Sequence, residues 1–299
     1  MWVRVPPPVF FDQTFDQFCD VPVMPSVPHQ IDGPVAVIGD VHGQTEKLRQ
    51  IIGQLARLPD VQRRWIVFIG DLVDRGPDPA GTVQVFFDLL KQHGRVTWVC
   101  GNHELAMMGA LKLLPSPEHI DYVSRWVHNY DTRSTFESWG APFGDLDALK
   151  QAIPEHQRTV MADLPWAVEH PEFLFVHAGM DRNLPFETQL RILRQRDYSL
   201  THPPWLYSKD FILLGAPIEA PVPLVIGHVP VPRVQSALGM IMTDTGAGAS
   251  GELSCVLLPE GTVLQSQPEI RQRGFSMDGA APGPPPRPPQ FNKPWWKVW

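Results

Sequence analysis

Gly70-Asp71-Leu72-Val73-Asp74-Arg75-Gly76 directly follows the apolar run Trp65-Ile66-Val67-Phe68-Ile69. Large and β-branched residues halted by glycine read as a buried strand ending in a tight turn, so two carboxylates and a guanidinium emerge together at the strand's C-terminal end. Open α/β sheets place their ligands at that end. Charges set beside a core are costly unless something of opposite sign balances them. A bound cation would balance the carboxylates, and an anionic substrate would balance Arg75. The structural alternative for Arg75 is an ion pair with Asp74 or Asp78.

The same unit recurs on either side of this stretch. Val35-Ala36-Val37-Ile38 is closed by Gly39-Asp40-Val41-His42-Gly43, and helical spacing of Leu48, Ile51, Ile52 and Leu55 follows within residues 45–58. A second helix is expected near 80–92. Residues 96–99 form the next strand, followed by Gly101-Asn102-His103-Glu104 and a helix from about 105. Further along, residues 173–176 end in His177-Ala178-Gly179 and residues 224–226 end in Gly227-His228. Final strands are expected at 240–243, 253–258 and 262–265. Residues 115–165 read as a polar, mostly helical cap over the strand ends, with Trp126, Phe136 and Trp139 as packing residues.

With 299 residues, 43% of them hydrophobic, the chain can bury a large core as one large domain or two ordinary ones. A formal net charge of −7 without a long basic run argues against general nucleic-acid binding. Cys19, Cys100 and Cys255 are few, odd in number and far apart, which excludes a disulfide framework and a Cys-x-x-Cys knuckle and points to a reducing compartment. Residues 1–28 show no basic stretch followed by an apolar one, and no run of about 18 apolar residues suggests a membrane span, so a cytoplasmic protein is expected. Residues 1–33 read as a Pro-rich arm, 34–268 as the catalytic domain, and 269–299 as a Pro-rich, disordered tail. Trp295-Trp296-Lys297-Val298-Trp299 is a candidate docking segment, with an inert tail as the plainer reading.

Asp40, His42, Asp71, Asn102, His177 and His228 together form a nitrogen and oxygen donor set without a thiolate, which suits Mn, Fe or Zn. A carboxylate on the middle strand, Asp71, could bridge two ions about 3.5–4 Å apart, the arrangement that serves phosphoryl transfer. The motifs at 39–43, 70–76, 101–104, 177–179 and 227–228 resemble those of the calcineurin-like metallophosphoesterases. Within these, residues 35–258 are most similar to the bacterial type of the phosphoprotein phosphatases, which cleave serine and threonine phosphates.

The resemblance implies an αββα sandwich of two mixed sheets flanked by helices, with a dimetal site at strand C-terminal ends. It implies that Asp40, His42 and Asp71 hold one divalent ion, manganese above all, and that Asp71, Asn102, His177 and His228 hold the other. A hydroxide bridging the ions would attack phosphorus directly, His103 would protonate the leaving oxygen with Asp74 orienting it, and Arg75 would grip the phosphate. Asn102 is also implied to touch substrate.

Two departures stand out. The second phosphate-binding Arg usual between the last two His motifs is missing from Trp205-Leu206-Tyr207-Ser208-Lys209-Asp210-Phe211, which leaves Lys209, or Arg194 or Arg196 from the preceding helix, as substitutes. The Gly-Gly that many relatives carry is replaced around Asn129-Tyr130-Asp131, ahead of Thr135-Phe136-Glu137-Ser138-Trp139-Gly140.

The expected partner is a phosphoprotein or a small phosphoester. The alternative enzyme is a dinucleoside tetraphosphatase, but the symmetrical kind resembles Gly-Asp-Leu-Val-Ala-Arg-Gly and Gly-Asn-His-Asp, whereas this chain has Asp74 and Glu104. A non-catalytic phosphate-binding module is the third reading, and the complete ligand set with His103 argues against it.

Overall fold

A computed structural model describes residues 27–266; most of the expected N-terminal arm, Cys19 and the Trp-rich tail lie outside the described residues. Its strands are β1 (Val35–Ile38), β2 (Trp65–Phe68), β3 (Val96–Trp98), β4 (Ala167–His170), β5 (Phe173–Val176), β6 (Leu224–Ile226), β7 (Gln235–Ala237), β8 (Met240–Met242), β9 (Ser254–Leu258) and β10 (Thr262–Gln265). They form two five-stranded mixed sheets, ordered β10-β9-β1-β2-β3 and β4-β5-β6-β8-β7. Three parallel strands, β1 to β3, carry the first sheet, with β9 antiparallel to β1. In the second sheet β5, β6 and β8 run parallel.

The apolar runs are continuous because both faces of each central strand are covered. Val35, Val37, Val67, Ile69, Val225 and Ile241 pack into the layer between the two sheets. Their alternating neighbours Ala36, Ile38, Ile66, Phe68, Leu224 and Ile226 join the larger cluster under the helices. The result is the expected αββα sandwich. Each strand of the first sheet feeds a helix: α1 (Thr45–Leu55) after β1, α2 (Pro79–Gln92) after β2, and α3 (Asn102–Ala110) after β3. Asp78 caps α2 by accepting from the Gly81 N–H at 2.9 Å, with Pro79 at the first helical position.

The region between α3 and β4 is helical as expected, comprising α4 (Tyr122–Asn129), α5 (Arg133–Ser138), α6 (Leu146–Ala152) and α7 (Glu155–Ala162). Trp126 and Phe136 are buried and stack at 5.4 Å between centroids. Three short helices, α8 (Phe186–Gln195), α9 (Pro204–Tyr207) and α10 (Phe211–Leu214), connect β5 to β6. Strands β4 and β7 are additions to the sequence reading, and α3 begins at Asn102, three residues before its expected start. Among the described residues no helix is long and apolar enough to cross a membrane.

The cap meets the sandwich where Gly109 of α3 faces the Tyr122 ring at the start of α4. A Cβ at Gly109 would overlap that ring. Gly109→Ala is expected to push α3 and α4 apart and to destabilise the fold by about 1–3 kcal/mol despite alanine's better helix propensity, measured by chemical denaturation.

Candidate metal and phosphate site

The C-terminal ends of strands from both sheets converge on one cluster. Asp40 and His42 follow β1, Asp71 follows β2, Asn102 and His103 open α3 after β3, His177 follows β5, and His228 follows β6. All lie at or near full burial except His228, which is partly exposed. Gly70, at φ 116°, makes the approach possible, since a side chain there would collide with the His177 ring.

Two groups of potential ligand atoms lie within 4.8 Å of one another: His42, Asp71 and His103, and Asp71, His177 and His228. Asp71 belongs to both. Its Oδ1 accepts from the His103 backbone N–H at 3.1 Å, while its Oδ2 faces His177 Nε2 at 3.3 Å and His42 Nε2 at 3.6 Å. Asn102 Oδ1 lies 3.0 Å from His177 Nε2. Asp40 is outside these two tight groups. One of its oxygens accepts from the His228 N–H at 3.0 Å, and the other is buried against Gly227 with no hydrogen-bond partner.

The donor chemistry fits cations. His42 Nδ1 donates to the Val73 carbonyl at 3.0 Å, and His177 Nδ1 donates to the Ile69 carbonyl at 2.8 Å, which turns both Nε2 atoms toward Asp71. Burial, with Arg75 and His103 nearby, holds His42 well below the usual histidine range, so its Nε2 presents a lone pair to a carboxylate oxygen. Two acceptors facing each other need a positive charge between them. For His177, burial opposes protonation but the charge and hydrogen bond of Asp71 outweigh it and push the ring up to about 10. Burial and the charge on His177 push His228 down to about 3. Burial, Asp244 and Asp71 raise Asp40, the carboxylate with the unpartnered oxygen. These opposed shifts mark a buried, negatively charged cluster that would take divalent ions in place of protons.

Beside this cluster stands a second arrangement. His103 Nδ1 donates to Asp74 Oδ2 at 2.7 Å, and its Nε2 lies 3.3 Å from Arg75 Nη2. Asp74 is fully buried and also accepts from Trp126 Nε1 at 2.9 Å and Thr135 Oγ1 at 2.5 Å, so the cap immobilises it. The exposed Arg75 pairs with His103 rather than with Asp74 or Asp78.

Of the three basic substitutes, the structure brings only Lys209 to the edge of the cluster, where its charge acts on His228. Arg194 and Arg196 each meet a carboxylate instead. Arg194 forms a two-pronged pair with Glu169 at 2.8 and 2.6 Å, and Arg196 binds Asp163 at 2.7 Å, so both guanidinium groups are committed away from the cluster.

Residues that the sequence reading passed over complete the site. Glu104 accepts from the backbone N–H groups of Asp71, Leu72, Val73 and Gly101 at 2.8–3.3 Å. Burial and Asp71 push its carboxyl up to about 8, against the pull of those donors. Asp244, buried just past β8, is raised to about 6 by burial while Gly246 N–H and Arg75 act to lower it. Its signal was present in the sequence, since Asp244-Thr245-Gly246 follows a strand as the other motifs do.

Residues 33–252 match the calcineurin-like phosphoesterase family. The symmetrical bis(5'-nucleosyl)-tetraphosphatase of Ralstonia nicotianae is 33% identical over 49% of this chain and 42% of its own length. A protein phosphatase 2A catalytic chain of Dictyostelium discoideum is 34% identical over 30% of this chain and 28% of its own. This chain thus spans less than half the length of either curated relative. A solved protein serine/threonine phosphatase from Saccharomyces cerevisiae superposes with a TM-score of 0.52 at 16% identity, covering 87% of this chain and 86% of that one, a likeness of fold.

Glu104→Gln places an NH2 group against backbone N–H donors. It is expected to destabilise the metal-free chain by about 1–3 kcal/mol in chemical denaturation, and to weaken Mn2+ binding because the turn carrying Asp71 is no longer held.

Proposed function

The chain belongs to the calcineurin-like phosphoesterase family, and from that premise we propose that it is a dimetal-dependent phosphomonoester hydrolase acting on serine or threonine phosphate in proteins. The observation that carries this reading is the His103–Asp74 pair at 2.7 Å, flanked by Arg75 and set against the Asp71 cluster. Asp40, His42 and Asp71 would hold one ion, and Asp71, Asn102, His177 and His228 the other. The absence of thiolates favours manganese, with iron or zinc as alternatives. Two bound cations supply charge neutralisation at the phosphoryl group and acidify water.

The chain's own residues do the rest. Arg75 holds nonbridging phosphate oxygens beside His103. Arg75, which donates to His103 Nε2 in this structure, would turn to the phosphate and leave Nε2 free to carry a proton. That proton passes to the leaving oxygen as water oxygen bonds to phosphorus and the ester P–O bond breaks, and the proton released by the water restores it. Asp74 keeps Nδ1 protonated and the ring fixed, and Trp126 and Thr135 hold Asp74 itself. This pairing supports the phosphatase over the second reading, a dinucleoside tetraphosphatase, which the similarity to the Ralstonia protein favours. A nucleotide leaving group is a weak base and gains little from a proton donor, whereas a seryl alkoxide needs one.

Rates on a phosphoserine peptide, diadenosine tetraphosphate and p-nitrophenyl phosphate, with and without added Mn2+, test the reading. Mn2+-dependent turnover greatest on the peptide is expected, and preference for the dinucleotide gives the second reading instead. Asp71→Asn should lower metal content at both sites and abolish turnover; two ions per chain with a normal rate would remove Asp71 from the bridging role. His103→Asn should cost about 10²- to 10⁴-fold in kcat on the phosphopeptide but less on p-nitrophenyl phosphate, whose leaving group needs no proton. An equal loss on both, with metals retained, would assign His103 to phosphate binding.

A further inference from the structure

The expected second basic clamp for phosphate is missing from residues 205–211, and the structure ties Arg194 and Arg196 to other partners. Arg125, which lies beside Tyr207 at the rim of the site, is also committed. Its Nη1 donates to the Thr201 carbonyl at 2.5 Å, and its guanidinium lies over the Tyr122 and Tyr207 rings at 5.0 and 5.6 Å. What faces the cluster from that side is a phenol.

Tyr130 ends α4 in the stretch where many relatives carry Gly-Gly. Its ring stands edge-on to His103, with centroids 4.4 Å apart. Arg75 approaches the same imidazole at Nε2, so His103 contacts both Arg75 and Tyr130. The Tyr130 hydroxyl meets the side chains of Asn102 and Tyr207. Tyr207 is itself anchored at the cluster, its backbone carbonyl 3.2 Å from His228 Nε2 and its hydroxyl 3.5 Å from the Asn102 carbonyl. The turn that carries Tyr130 also fixes Arg75, because the Arg75 N–H donates to the Asp131 carbonyl at 3.0 Å. One short segment therefore sets the positions of a guanidinium and a phenol around one imidazole. Tyr130 is partly exposed, and its hydroxyl stands beside Asn102, a residue of the proposed metal and phosphate site.

We propose that Tyr130 is the second phosphate-binding residue, its hydroxyl donating to a nonbridging phosphoryl oxygen beside His103, as Arg75 does from the Nε2 side. The inference rests on the phosphomonoesterase reading for its reaction, but its recognition element is the phosphate group alone. A neutral donor in place of a second guanidinium leaves less charge around the dianion, and it fills the space that glycine leaves open.

Tyr130→Phe removes only the hydroxyl and keeps the ring on His103. Inorganic phosphate binding to the Mn2+-loaded chain, measured by titration calorimetry, should weaken about tenfold, the size of one hydrogen bond to a charged partner. KM for the phosphoserine peptide should rise by a similar factor, with kcat changed less and metal content unaltered. Unchanged phosphate affinity in Tyr130→Phe, or a larger loss in Lys209→Ala measured beside it, would overturn the assignment. A wild-type chain that binds phosphate but hydrolyses no phosphoester would refute the enzymatic reading while the comparison of affinities still decides the role of Tyr130. A wild-type chain that binds no phosphate would refute the inference.

Discussion

The carboxylate of Glu104 is the contact on which the site's geometry depends. It sits in the first turn of α3, reaches back to the Gly101 N–H as a cap, and at the same time binds three successive N–H groups of the turn after β2. Two turns from neighbouring strands are thereby fixed to one another, so Asp71, Asn102 and His103 are positioned together. Burying a carboxylate is costly unless it is well hydrogen-bonded, and four backbone donors meet that condition. Glu104 shares one buried volume with Asp40, Asp71 and Asp244, and burial together with the crowding of carboxyls there pushes Glu104 and Asp40 above the usual carboxylate range. Such raised carboxyls hold protons readily in the metal-free chain. Divalent ions would take the place of those protons, which makes metal binding and the integrity of the strand ends one question.

The strand-end turns are strained as well as charged. His42, Asp71, Asp74, Arg75 and His228 all have φ between 47° and 68°, a region that side chains other than glycine rarely adopt. Such residues cost on the order of 1–3 kcal/mol each and persist only where surrounding bonds over-determine them. Here the turns after β1 and β2 are laced together: Val41 and His42 donate to the Asp71 carbonyl, Gly43 donates to the Leu72 carbonyl, and Gly76 donates to the His42 carbonyl. Five of the candidate site residues thus share this left-handed backbone. Burial of the β1 and β2 side chains on both faces of the first sheet supplies the stability that holds this conformation.

Much of this was legible in the sequence because glycine-terminated apolar runs signal buried strands, and the chemistry follows directly after each glycine. The unread strands lack that signal. Strand β4 contains Glu169 and His170, and the three-residue edge strand β7 is polar and partly exposed. The candidate ligands at the strand ends were legible for the same reason as the strands. Glu104, Trp126, Thr135 and Tyr130 were not read as parts of the site because what they do is fixed by contacts with residues far away in the chain. Trp126 read as packing and is indeed buried, yet its indole N–H donates to Asp74. Charge counting could not decide among Arg194, Arg196 and Lys209, because pairing with Glu169 and Asp163 depends on where β4 and α7 lie.

The contacts of Asp74 divide the labour between sandwich and cap. Strand ends of the two sheets present nearly all the acceptors suited to cations, while α4, α5 and the turn between them present donors: the Trp126 indole, the Thr135 hydroxyl and the Tyr130 phenol. Asp74 belongs to the β2 turn but is satisfied only when the cap is in place, since two of its three side-chain partners come from there. Without the cap, Asp74 would be solvated and His103 would lose its fixed orientation, so the proposed proton donor exists only in the closed arrangement. Variation in the cap can then alter which leaving group is protonated, and which is admitted past Tyr130, without disturbing a single proposed metal ligand. On the proposed reading, substrate choice in this chain would reside in residues 122–138 more than in the strand-end motifs that identify its family.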